Sequence, residues 1–489
     1  MRTSVAFFAL LVTAACPMPD AVDGGADLDG GPGGDGDGDV DAGSVDAGPS
    51  LEPTALPAYD QRPGDPDAGY LAMVNNPYVG CGVPESAYNI VFGDALEELR
   101  LPGREGRNAT LPYDQTQFED AQGVSVVAAN CLFCHAARLP GPEGGITLGL
   151  GNANLDFTSS TAGTADLAGL LVNDPVERVA YEKWRGRVVA TAPYLVTRTL
   201  GVNPADNLAG ILFAHRDPAT LAWSDTPLLD PPSTDPTPTD VPPWWLMRKK
   251  NVMFYTGSGR GDHARVQMTA STLCVDSVEE AEVIDSYFPD VRAWIAILEP
   301  PPFPGEVDAD LAADGQALFE QRCAQCHGTY GAEDSYPNLL IPVEEVGTDP
   351  LLATGSSHFD DRFTDWFNSS FYGEIASLEP GAGYVAPPLD GIWATAPFLH
   401  NGSVPTLRAL LDSSTRPLAF ERATTPRDYD LDDVGWPWQE APLHSELPAA
   451  DRRLVYDTTH PGYGNGGHTY GDSLTSDERD AVIAYLKTL

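Results

Sequence analysis

The chain has 489 residues, 42% of them apolar, which is enough to bury a substantial core and excludes wholesale disorder. Asp and Glu total 71 against 28 Lys and Arg, a net charge of -43, and the lysines are only Lys183, Lys249, Lys250 and Lys487. That balance excludes nucleic acid as a partner and disfavours electrostatic binding to anionic lipid, because both need a positive field.

Arg2 precedes a mostly apolar run, Val5 to Ala15, too short for the roughly 20 residues of a membrane span. Residues 1–16 read as an export signal, and Thr13-Ala14-Ala15-Cys16 is similar to a bacterial lipoprotein cleavage site. Plain secretion with cleavage near Ala15 is the alternative. The expected location is therefore the periplasm, the outer membrane as a lipoprotein, or the cell surface, with contact to membrane only through an N-terminal lipid. Residues 17–59 read as a disordered acidic linker, since 20–49 hold nine Asp and ten Gly. Its GDGDGDVDAG stretch is not an EF-hand loop: counted from Asp35, Val40 and Asp46 stand where Gly and Glu are required. Residues 20–49 carry only nine of the negative charges, so the folded part is itself strongly acidic.

Two folded regions follow, 60–303 and 304–489, divided at the Pro-rich 300–304. The first contains Cys131-Leu-Phe-Cys134-His135. It also contains an aromatic and basic stretch, Pro242 to Thr256, with Trp244, Trp245, Phe254, Tyr255 and the cluster Arg248, Lys249, Lys250. Ser277 to Leu298 has a helical stripe that Pro289 kinks or splits. In the second region a helix over 310–322 leads into Cys323-Ala-Gln-Cys326-His327, and a helix over 475–489, capped by Ser476, closes the chain.

Both motifs read C-x-x-C-H. Two thiols at this spacing add across two haem vinyl groups, and the next His lies beneath the iron. Two such motifs, 192 residues apart in an exported chain, predict two covalently attached c-type haems. The cofactor-binding residues are then Cys131, Cys134, His135, Cys323, Cys326 and His327. The expected fold class is mainly α: two cytochrome c-like haem domains with long irregular loops. Cys81 and Cys274 either pair or stay as isolated buried thiols.

No methionine follows Met268, so the second haem cannot take a Met from its own region. His358, His400, His444, His460 and His468 remain. His468, in Asn465-Gly-Gly-His468, is favoured because flanking glycine lets backbone approach a planar ring; His400 is the alternative. The first region offers His215, His263, Met247, Met253 and Met268. The basic cluster could pair with haem propionates. The aromatic residues could line a distal pocket or bridge electrons, or could form an ordinary core segment. An iron without a strong sixth ligand binds oxygen or peroxide, whereas one with two strong ligands carries electrons. The haem of His135 is the better candidate for the reactive one.

These motifs, the block Ala386-Pro-Pro-Leu-Asp-Gly-Ile-Trp-Ala-Thr-Ala-Pro-Phe-Leu-His-Asn-Gly-Ser-Val-Pro-Thr-Leu407, the Asn465-Gly-Gly-His468 segment and the ending Ala484-Tyr-Leu-Lys-Thr-Leu489 resemble the di-haem c-type family that includes rubber oxygenase. More distantly they resemble bacterial di-haem cytochrome c peroxidases. The resemblance implies that His135 is proximal at an oxygen-binding haem and that His327 and His468 are the axial pair of the second. It also implies aromatic residues over the active haem, for which Trp245 and Phe254 are the candidates. The expected function is a haem-dependent oxidoreductase that cleaves an apolar substrate with dioxygen, the second haem relaying or storing electrons. The alternatives are a di-haem peroxidase acting on hydrogen peroxide and a non-enzymatic electron carrier docking a redox partner protein.

Overall fold

The computed structural model describes residues 52–141, 144–355 and 360–489. The stretches read as an export signal with its cleavage site, and most of that read as an acidic linker, lie outside these residues. The last part of the stretch assigned to the linker is folded: Thr54–Ala55 is a strand paired with Leu339 and Leu340, and Leu56 is buried. Among the described residues no helix is long and apolar enough to cross a membrane.

The mainly α expectation is corrected. Helix accounts for 40% and strand for 13%, in five small antiparallel sheets, and no two distinct haem domains are shown. Two physical reasons stand out. First, 48 Gly and 44 Pro break the chain into short elements. Second, a local hairpin precedes the first motif. Gln115–Glu119 and Ser125–Ala129 pair in register, closed by Asp120, whose carboxylate accepts from the amides of Gln122 and Val124. Residues 51–489 cluster as one compact unit. Sheets stitch its early and late parts together: Thr54–Ala55 joins Leu339–Pro342, and Gly259–Gly261 joins Ala376–Leu378. A long-range sheet contact cannot be read from local periodicity.

The frame contains two similar helix pairs. Pro66–Asn75, capped by Asp65, crosses Phe288–Ala296; Gly69 sits at the crossing, where a Cβ would lie 1.9 Å from the Asp290 carbonyl oxygen. Ala309–Arg322, capped by Asp308, crosses Ser476–Leu486, and a Cβ on Gly315 would lie 1.9 Å from the Ala481 oxygen. Only glycine permits these approaches. The helical stripe over 277–298 divides into Val278–Asp285 and Phe288–Ala296, with Pro289 in the first turn of the second helix, where its missing N–H costs nothing. The final helix is capped by Thr475 rather than Ser476, in a reciprocal box with Glu478.

Cys81 and Cys274 form a disulfide, Cα–Cα 5.7 Å, closing 193 residues. Chain entropy over that loop is worth about 5 kcal/mol. The Cys81→Ser/Cys274→Ser double variant should therefore unfold at distinctly lower temperature or urea than the wild type. An unchanged midpoint would refute a structural role.

Candidate haem-attachment centre

Each helix pair backs one motif. Leu132 and Ala136 pack against Met73, Val74, Trp294 and Ile295. The sheet before the motif delivers it: Asn130 donates to Thr116 and to the Tyr113 carbonyl, while its own carbonyl oxygen accepts from the Leu132 amide. The short helix Leu132–His135 then presents its histidine inward. At the second motif, Phe319, Cys323 and Ala324 pack with Val482 and Tyr485.

All four motif cysteines, both motif histidines and His468 line one continuous cavity of about 640 Å³. Its other walls are largely apolar, among them Leu212, Phe213, Leu273, Phe288 and Phe367. The four thiols make no disulfide. Burial pushes Cys131 and Cys134 up to about 12, so they rest as neutral thiols. Burial also brings His135 down to about 4, which keeps its imidazole neutral and its lone pair free for a metal.

The two histidine environments differ. His327 Nδ1 donates to the Pro387 carbonyl at 2.8 Å, which leaves the Nε2 lone pair free for a metal. His468 faces it, with ring centroids 6.1 Å apart. Two metal–nitrogen bonds of about 2 Å plus the half-widths of two rings fill such a gap, so these residues fit an iron held between them. Burial, followed by the neighbouring His327 and Arg416, brings His468 down to about 3. His468 has φ of 44°, and its amide donates to the Val346 carbonyl. Gly467 lies so close to Gly347 that a Cβ would stand 2.1 Å from the Gly347 carbonyl carbon. Arg416 clamps the loop by donating to the carbonyls of Asn465, Gly467 and His468.

His135 has no such imidazole counterpart among the described residues. Trp244 stacks on its ring at 4.6 Å and 20°. The chain has nine histidines, and His358 lies outside the described residues. His215 stacks on Trp223, and His263 faces the Asn251 carbonyl; neither lines the cavity. His400 does line it, stacked on Tyr384 at 4.1 Å with its Nε2 3.1 Å from the Tyr384 hydroxyl. His444 and His460 sit together elsewhere. Met268 is a fully buried core residue, while Met247 and Met253 reach the cavity; the Met247 sulfur accepts from Gln267 Nε2 at 3.1 Å.

The aromatic candidates separate. Phe254 lines the cavity. Trp245 does not: it is fully buried, donating to the Asp390 carbonyl at 2.8 Å. The indole at the site is its neighbour Trp244, because the short 3-10 turn Trp244–Arg248 sends successive side chains in different directions. The basic cluster also divides. Arg248 binds Glu299 and Asp390, and Lys249 binds Asp334 and Asp390. Only Lys250 of the three lines the cavity, where burial brings it down to about 8.

Sequence reasoning missed Trp244 as the ring on His135, the Pro387 carbonyl, Arg416 and Asp240. A usable signal was the repeated Pro-Pro: the Pro242 carbonyl faces His135 much as the Pro387 carbonyl faces His327, although only Pro387 meets hydrogen-bond geometry. Asp240 lines the cavity and accepts from the Tyr255 hydroxyl at 3.1 Å. Burial pushes it up to about 7. The folded protein then holds a proton that the unfolded chain releases near pH 4, so stability falls as pH rises from about 4 through about 7. Asp240→Asn should flatten that fall in urea titrations across this range, and equal slopes in both proteins would contradict it.

Paired thiols at C-x-x-C-H, neutral imidazoles beside them and a shared apolar cavity fit the attachment of c-type haem. The comparison with known families agrees: a model described as RoxA-like, cytochrome c-like, matches residues 383–421. That span includes Pro387, His400 and Arg416. Two proteins of Sinorhizobium fredii (strain NBRC 101917 / NGR234) are similar to this chain. Uncharacterized protein y4iJ is 32% identical over 323 residues, 50% of this chain and 52% of the relative. Uncharacterized protein y4iM is 27% identical over 322 residues, 58% of this chain and 71% of the relative. The match thus spans about half the length of the first relative, and neither name states an activity.

Proposed function

We propose that the chain is an exported di-haem oxidoreductase that uses dioxygen to cleave an apolar olefin, with the chemistry at the His135 centre and electron storage or relay at the His327–His468 centre. The observation that carries this reading is the asymmetry of the shared cavity: among the described residues His327 is faced by an imidazole, and His135 is not. Bound haem would supply redox-active iron at both motifs. Cys131, Cys134 and His135 would hold the first, and Cys323, Cys326, His327 and His468 the second.

The protein's own contribution is positioning and exclusion of water. Trp244 fixes the plane of the His135 ring. The apolar walls favour a hydrocarbon substrate and keep water from it. Cleavage of one carbon–carbon double bond places both oxygen atoms of dioxygen in two carbonyl products, so the cycle consumes no reductant. The disulfide Cys81–Cys274 supports an oxidising compartment, as the export signal implies.

Peroxide reduction is the second reading, favoured by Asp240. Its carboxyl, held near neutrality inside the cavity, can retain and deliver a proton. The test is a pair of assays on the holoprotein. Oxygen uptake with carbonyl formation from an apolar polyene supports cleavage; turnover of hydrogen peroxide with a reduced cytochrome supports peroxidase action. Absence of both leaves the electron-carrier reading.

A further inference from the structure

Away from the haem cavity, three side chains converge whose chemistry that site does not use. His444 lies in the short 3-10 turn His444–Glu446, Asp457 ends the strand Val455–Asp457, and His460 follows in the next turn. None of the three lines the cavity. His444 and Asp457 are buried, and the His460 side chain is 24% exposed. One donor atom from each falls within 4.8 Å of the others. His444 Nδ1 and His460 Nε2 are 3.1 Å apart, and His460 Nε2 is 3.7 Å from Asp457 Oδ2.

We propose that His444, Asp457 and His460 form a binding site for a divalent transition-metal cation of the zinc class. Tetrahedral ligands with bonds of about 2 Å stand about 3.3 Å from one another, between the two separations just given. The surrounding groups are already set for ligation. His444 Nε2 donates to the Val455 carbonyl at 2.8 Å, which places the Nδ1 lone pair toward the site. The Asp457 carboxylate is held through Oδ1 by the amide and hydroxyl of Thr459, at 3.0 and 2.6 Å. Its Oδ2 also accepts from the His444 amide at 2.7 Å, tying two ligands to each other. Two imidazoles and one carboxylate suit zinc, with a fourth position left for water.

The site has a structural consequence. His460 opens the loop that ends at His468. Between them Asn401 donates to the carbonyls of Gly462 and Gly464. A cation at His460 would pin the near end of this loop, as Arg416 pins the far end.

The experiment uses the full-length holoprotein, stripped with a chelator and dialysed against micromolar zinc chloride. Zinc is measured against haem iron by mass spectrometry. Wild type should retain about one zinc per chain and gain thermal stability with it. His460→Ala should bind at least about tenfold more weakly and show no zinc-dependent gain, with unchanged haem spectra. His460→Asn, a smaller perturbation of the surface, should behave alike. If wild type takes up no more zinc than both variants, the three residues are only a hydrogen-bonded chain and the proposal is overturned.

Discussion

Replacing His468 by glycine should convert one six-coordinate, low-spin haem into a high-spin haem and raise carbon monoxide uptake by the reduced protein from one to two per chain. Glycine is the informative choice because the backbone there has φ of 44°, which glycine adopts without strain. The loop itself does not depend on the imidazole: Arg416 and the Val346 carbonyl hold its main chain. The variant therefore removes a ring 6.1 Å from His327 and little else. Loss of one axial nitrogen should also move the midpoint potential of that haem by on the order of 0.1 V, within the roughly 0.8 V that axial ligands command. Millimolar imidazole should enter the gap and restore the low-spin spectrum. Rescue separates ligation from a purely structural role; a variant that keeps its low-spin spectrum without imidazole would refute ligation.

The parts of this site legible in the sequence are those encoded within a few residues. C-x-x-C-H places thiols and imidazole on one helical turn, and both motifs do face the cavity. Glycine beside His468 signalled a close approach of backbone to a planar ring; the close approach seen is instead of Gly467 to the Gly347 backbone. Pro289 inside a helical stripe signalled a break, and the helix divides there. What stayed hidden depends on pairing distant segments. The Pro387 carbonyl meets His327 only because a segment 60 residues downstream packs against the second motif. Arg416 resembled any surface arginine until its carbonyl partners were in place. Trp244 and Trp245 are indistinguishable by composition, and one turn of 3-10 geometry decides which indole meets His135. The mainly α expectation failed partly for the same reason, since short strands joined across more than a hundred residues leave little local pattern.

The asymmetry between the two centres gives the largest separable effect. Cys131→Ala/Cys134→Ala and Cys323→Ala/Cys326→Ala should each carry one covalent haem instead of two by pyridine haemochrome assay. Carbon monoxide and oxygen reactivity should nevertheless be lost only in the first. The reason lies in what each histidine meets on the cavity side. His468 faces His327 at 6.1 Å, so a protein left with that haem alone should be saturated. His135, backed by Trp244, has no imidazole opposite it among the described residues, so a protein left with that haem alone still binds the diatomic ligand. Met247 and Met253 also reach the cavity, and a thioether could close the first iron. In that case neither double variant binds carbon monoxide, and substituting the ligating methionine restores binding. The two outcomes divide the enzyme from the electron carrier. The second variant should still fold: its motif backs on the helix pair of Ala309–Arg322 and Ser476–Leu486, whose glycine crossing is built by the chain alone. Circular dichroism of both variants checks that the ligand-binding difference reports on the haems and not on unfolding.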